Sequence, residues 1–244
     1  MINGTEVVDF HGHVGRMDWA GMRDDPVLML HAMDKAGVDV SSLFSIYHPD
    51  GTTGNDSTAR FIAQHPDRLV GFAYVSPLMP DQMVPELTRA IDELNFVAIK
   101  LYPPYTPWAF DQPPWFPIYE FANERGLAII FHTGIEWQSH PKSLAAIAPQ
   151  YPKVNFVAGH SGNTAEPRAE AHSRQAGGLR LVSCYPAKLW RIKPTAIQTL
   201  EASTGKPAST HQSTRPADCA LPNGTRLNNT PTTMLVTSEH GVIH

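Results

Sequence analysis

The stretch VVDFHGHVGR, residues 7–16, ends an apolar run on two histidines one residue apart. In an extended strand, side chains alternate between faces, so residues i and i+2 point the same way. His11 and His13 therefore emerge side by side if Val7–Phe10 form a strand. Two neutral imidazoles at that spacing can share one metal ion, or they are solvated histidines on an edge strand. His132 in IIFHTG and His160 in FVAGHSG each close a further apolar run. A lone histidine at such a place is a hydrogen-bonded structural group; several together point to chemistry. Lys100 in VAIKLY is a charge inside an apolar run. Burial would disfavour its charged form unless a carboxylate, a substrate anion or a metal-bound group answers it. Otherwise it reaches water at a strand end.

Elements that alternate in character must position these residues. The apolar β-rich runs are EVVDFHGH, VDVSSLFSI, RLVGFAYVSP, NFVAIKLYPP, GLAIIFHTG and VNFVAGHSG. Between them lie PVLMLHAMDKAG, STARFIAQHPDR, QMVPELTRAIDEL, WFPIYEFANERG and PKSLAAIAPQYP. These carry apolar residues at helical spacing, with Leu87, Ile91 and Leu94 on one face and Gly37 placed to close the first. Strands rich in Val, Ile, Leu and Phe that alternate with helices imply a parallel sheet covered on both faces. Six such units fit a (β/α)8 barrel or a doubly wound sheet. In either, the C-terminal strand ends carry the active site. His11, His13, Lys100, His132 and His160 all fall there. No Gly-x-Gly-x-x-Gly follows the first strand and no P-loop occurs.

Loop residues are weaker candidates. Arg16 and Tyr102 suit anion or carbonyl contacts. Trp19, Trp108, Trp115 and Trp137 suit an aromatic-lined pocket or plain loop packing, with Trp137 the substrate-binding candidate. His48 and His140 follow strands and could reach substrate. His31 reads as helix surface and His65 as a helix-end charge.

The chain has 244 residues and a net charge of −4, enough for one barrel of about 250 residues. No basic block suggests nucleic acid, and no apolar run approaches the roughly 20 residues that span a membrane. The N-terminus lacks the basic and long apolar parts of a signal peptide. The two cysteines, Cys184 and Cys219, make no disulfide framework and fit a reducing cytoplasm. The expected partner is a small-molecule substrate; a homo-oligomer is a further expectation.

In VDFHGH, GFAYVSP, VAIKLYPP, IIFHTG and FVAGHSG, taken in that order with AMDKAGVD and QHPDRLVGF, the chain resembles the amidohydrolase-related (amidohydrolase 2) family of metal-dependent TIM-barrel enzymes. The likeness spans about residues 5–168. It implies a (β/α)8 TIM barrel with one divalent metal, commonly zinc, at the C-terminal mouth. By position His11, His13 and His132 would ligate the metal, and His160 would be the acid–base histidine or a further ligand. The family pattern adds an aspartate at the eighth strand tip. The implied activity is hydrolysis of a small ester, lactone or amide by water activated at the metal. Non-oxidative decarboxylation of a small aromatic or unsaturated acid at the same site is the alternative. A relic that binds metal or ligand without turnover is the third.

After about Arg168 the pattern changes. All ten phenylalanines precede it, and from Thr195 onward fourteen of fifty residues are Ser or Thr. LRLVSCY (179–185) and TMLVTSEH (233–240) are the remaining strand-like runs. The expected division is a barrel core over 1–168 and an atypical C-terminal segment over 169–244, divergent or frame-shifted, that leaves the barrel's last one or two units incomplete or distorted. Asp218 and Glu239 are the candidate replacements for the missing carboxylate. A barrel without its last strand would expose the edges of its first and seventh strands, unless the tail folds over the gap.

Overall fold

The computed structural model describes residues 7–15, 24–160, 179–181 and 233–234. Six strands and five helices alternate through the main described segment: β1 Val7–His13, α1 Pro26–Ala36, β2 Val40–Phe44, α2 Thr52–Ile62, β3 Leu69–Tyr74, α3 Pro80–Asp92, β4 Ala98–Leu101, α4 Phe116–Arg125, β5 Ala128–His132, α5 Pro141–Ile147 and β6 Asn155–Gly159. Two short strands follow, β7 Leu179–Leu181 and β8 Thr233–Met234. All pair in parallel, in the order β7-β6-β5-β4-β3-β2-β1-β8. Among the described residues this is the alternating parallel β/α arrangement of a TIM barrel through six strands, with short β7 and β8 at the two ends of the sheet. The outer edge of β1 is covered by β8, with Val7 opposite Thr233 and Val8 opposite Met234.

Alternation along β2 to β6 sorts residues into two layers. Phe44, Phe72, Tyr74, Ala98, Ile130 and Val157 pack together inside the sheet's curve. Ile99, Leu101, Ile129, Phe131 and Phe156 face outward and bury Leu87 of α3, Tyr119 of α4 and Leu144 of α5. Each fully buried large apolar side chain contributes roughly 1.5–3 kcal/mol. The inward parity of β4 carries Ala98 and then Lys100, and that of β5 carries Ile130 and then His132. The charged and titratable side chains thus stand one layer above the apolar plug.

The helix ends follow local chemistry. Asp25 caps α1 by accepting from the backbone N–H groups of Val27 (2.9 Å) and Leu28 (3.1 Å), and Gly37 closes it in the left-handed region at φ 71°. Gly126 closes α4 in the same way. The α2 helix starts at Thr52, five residues before the helix pattern beginning at Ser57. Thr-Thr-Gly-Asn-Asp reads locally as a turn, but Asp50 accepts from Thr53 N and Oγ1. Asn55 is meanwhile drawn into the core. Its amide accepts from Tyr74 N (2.8 Å) and donates to Tyr74 O (3.0 Å) and Glu86 Oε1 (2.8 Å). This side chain ties α2 and α3 to the mouth end of β3. Among the described residues no helix is long and apolar enough to cross a membrane.

Candidate active site

At the C-terminal strand ends, imidazoles from three strands meet. Ring centroids of His11 and His13 lie 5.4 Å apart, His11 and His160 4.7 Å, and His132 and His160 4.7 Å. The contacts therefore run His13–His11–His160–His132, with His160 touching one histidine from β1 and one from β5. His11, His13 and His160 are buried. Their placement has identifiable local causes. Gly159 lets β6 approach: a Cβ there would stand 2.7 Å from Phe131 O and 3.1 Å from His11 Cε1. Thr133 donates to Gly159 O from both its backbone N–H and its hydroxyl. That carbonyl is pinned just before His160, which adopts a positive φ of 62°. A non-glycine residue in that region is uncommon.

Lys100 is fully buried, its Nζ 3.0 Å from His11 Nε2 and 4.5 Å from the Phe44 ring centroid. Burial first, then the Lys100 charge and the neighbouring histidines, hold His11 well below the usual imidazole range. His11 is therefore neutral. The Tyr102 ring packs, tilted, against His132 with centroids 4.4 Å apart and against Tyr105 at 4.5 Å. Trp137 lies on the loop after β5, 58% exposed at the rim, and its neighbour Gln138 reaches Thr106 O on the β4 loop.

The structure brings together His11, His13, His132, His160, Lys100 and Tyr102. Lys100 does not reach water, because it is enclosed in the mouth. Trp115 does not line a pocket: it is wholly buried in the outer core, with Nε1 donating to Trp108 O. His140 is a helix cap, its Nδ1 accepting from Lys142 N. His48 is exposed. Arg16, Asp218, Glu239, Trp19 and both cysteines lie outside the described residues, as does most of 169–244.

Imidazole nitrogens are the donor chemistry that suits a borderline divalent ion. Their arrangement is not a closed ligand set. Among the described residues no three His, Cys, Asp or Glu side chains stand together as a metal-ligand group. His160 lies between His11 and His132, and Lys100 engages Nε2 of His11.

A parallel barrel with polar groups gathered at its C-terminal mouth defines the class of a TIM-barrel enzyme. The Amidohydrolase family model matches residues 8–194, and the chain belongs to that family. The match runs past Arg168, where the sequence changes composition. Among solved structures, a TIM-barrel protein from Bordetella bronchiseptica is similar at 16% identity and TM-score 0.61, covering 81% of each chain. A 4-oxalomesaconate hydratase from Rhodopseudomonas palustris is similar at 19% identity and TM-score 0.55, covering 72% of this chain and 73% of that one. A 5-carboxyvanillate decarboxylase from Novosphingobium aromaticivorans, solved with bound manganese, is similar at 16% identity and TM-score 0.51, covering 65% and 66%. At these identities the likeness carries the fold.

Proposed function

We propose that this chain is a metal-dependent hydrolase acting on a small ester, lactone or amide. The supporting observation is the gathering of four imidazoles from β1, β5 and the end of β6 in one buried mouth. The family pattern would assign the ion, zinc or manganese, to His11, His13 and His132; His160 stands between His11 and His132, so those side chains would have to close around the ion. When bound, it supplies a Lewis acid that lowers the pKa of water toward about 7. His160, in contact with histidines on both sides, takes the proton of the attacking water and returns it to the leaving group. The buried Lys100 Nζ, 3.0 Å from His11 Nε2, offers negative charge in the mouth a hydrogen-bond donor. Tyr102 presents its phenol beside His132, and Trp137 at the rim covers the substrate's apolar part.

The same Lys100 favours decarboxylation as the second reading. A buried lysine beside the imidazoles suits a substrate carboxylate, and His160 then delivers a proton to the carbon that loses CO2. The manganese-bound decarboxylase among the similar structures agrees with this alternative.

One panel separates the readings. Protein loaded with zinc or manganese is offered lactones, esters, amides and aromatic carboxylates, with acid release and CO2 release followed. Turnover of the first group, falling about 10²–10⁴-fold in His160→Ala, supports hydrolysis. CO2 release alone supports decarboxylation. No turnover of any substrate by metal-loaded protein would leave only the relic.

A further inference from the structure

β1 does not keep its side-chain alternation. Val7 packs outward with Met33 of α1 and Phe61 of α2. Phe10 packs inward against Phe72, ring centroids 4.8 Å apart. Strict alternation would then send His11 outward, yet it also faces inward, onto Lys100 and Phe44. The register explains this. Asp9 stands opposite Ser41 and Gly12 opposite Leu43, so β1 holds one more residue than β2 between those pairs. This is a β-bulge, which reverses the phase of every residue after it. Gly12 accordingly turns outward, where a Cβ would stand 2.6 Å from Leu43 Cδ2, and His13 turns inward.

A bulge takes a backbone amide off the ladder, and that amide needs another acceptor. Here the buried Asp9 carboxylate supplies it. Oδ1 accepts from His11 N at 3.1 Å, and Oδ2 accepts from Ser41 Oγ at 2.9 Å. The Asp9 carbonyl in turn accepts from Ser42 Oγ at 2.9 Å. We propose that Asp9 is the positioning residue of the site: its carboxylate, anchored on β2, fixes the bulge that aims both His11 and His13 into the mouth. It touches no substrate and acts through the backbone of His11.

Selective NMR labelling tests this without metal. In the wild type, His11 Hε1 gives an NOE to Gly159 Hα, because these groups are in contact. Asp9→Ala loses it. Asp9→Leu, which fills similar volume and accepts nothing, also loses it and carries the test if the alanine variant does not fold. Asp9→Asn keeps it, since the amide oxygen still accepts from His11 N and its NH2 can donate to Ser41 Oγ. Manganese titration is the second readout and rests on the function proposed above: affinity falls about 10–100-fold in Asp9→Leu and recovers in Asp9→Asn. An unchanged NOE in Asp9→Leu, or its loss in folded Asp9→Asn, overturns the proposal. If wild-type protein binds no manganese while the NOE follows this pattern, the positioning role stands and the metal-dependent reading falls.

Discussion

Replacing Asn55 with alanine should destabilise the barrel by roughly 4 kcal/mol, counting two neutral hydrogen bonds at about 1 kcal/mol each and one to a carboxylate at about 1.5–3 kcal/mol. Those bonds are the ones to Tyr74 N, Tyr74 O and Glu86 Oε1. Tyr74 suffers most, because both its backbone polar groups lie at the buried end of β3. Glu86 is not stranded, since Thr52 Oγ1 and Arg89 still donate to it. With a urea slope of about 3 kcal/mol/M, the unfolding midpoint should fall by more than 1 M. Asn55→Asp provides a control. It preserves the acceptor for Tyr74 N but turns a carboxylate toward Glu86, so it should be no more stable than the alanine variant. Equilibrium urea unfolding followed by tryptophan fluorescence and circular dichroism measures both. A loss below about 1 kcal/mol in Asn55→Ala, or an aspartate variant as stable as wild type, would refute the role given to this side chain.

Three further outcomes are expected. Gly159→Ala should cost about 1–3 kcal/mol by overpacking and should displace the His11 ring, seen as lost contact between His11 Hε1 and residue 159. Burial holds the phenols of Tyr74 and Tyr119 above their ordinary range. Both are therefore neutral when folded and ionise near pH 10 when unfolded. Their stabilising effect is full below about pH 10 and is lost as pH rises above it, by up to about 1.4 kcal/mol per pH unit for each group. Tyr119→Phe should flatten that decline in alkaline thermal melts. Asp25→Ala removes the α1 cap and should cost about 1 kcal/mol by urea unfolding.

All eight of the described strands are visible in the sequence, because buried parallel strands are near-continuous apolar runs. Even LRL and TM, short as they are, stand out in a polar tail. The first turn of α2 is not visible. Its residues are turn formers, and only Asp50 below and Tyr74 above make them helical. The histidines at strand ends are legible by position, but their order of contact is not. It depends on the β1 bulge, fixed by Asp9 meeting Ser41 across 32 residues of chain, and on Gly159 admitting the His11 ring. Asp9 itself left a signal: a carboxylate at the outward parity of an otherwise apolar strand needs a partner. Trp115 and Trp137 look alike in sequence, since both lie in loops rich in proline or polar residues. Only the fold buries one in the core and leaves the other at the rim.

Metal content tests the proposed site most directly. Wild-type protein expressed with zinc and manganese in the medium and dialysed against metal-free buffer should retain about one divalent ion per chain. Double replacement of His11 and His13 by alanine should leave almost none in a chain that still folds. Folded wild-type protein that retains no divalent ion, or a double variant that retains as much as wild type, would contradict a metal centre built on these imidazoles.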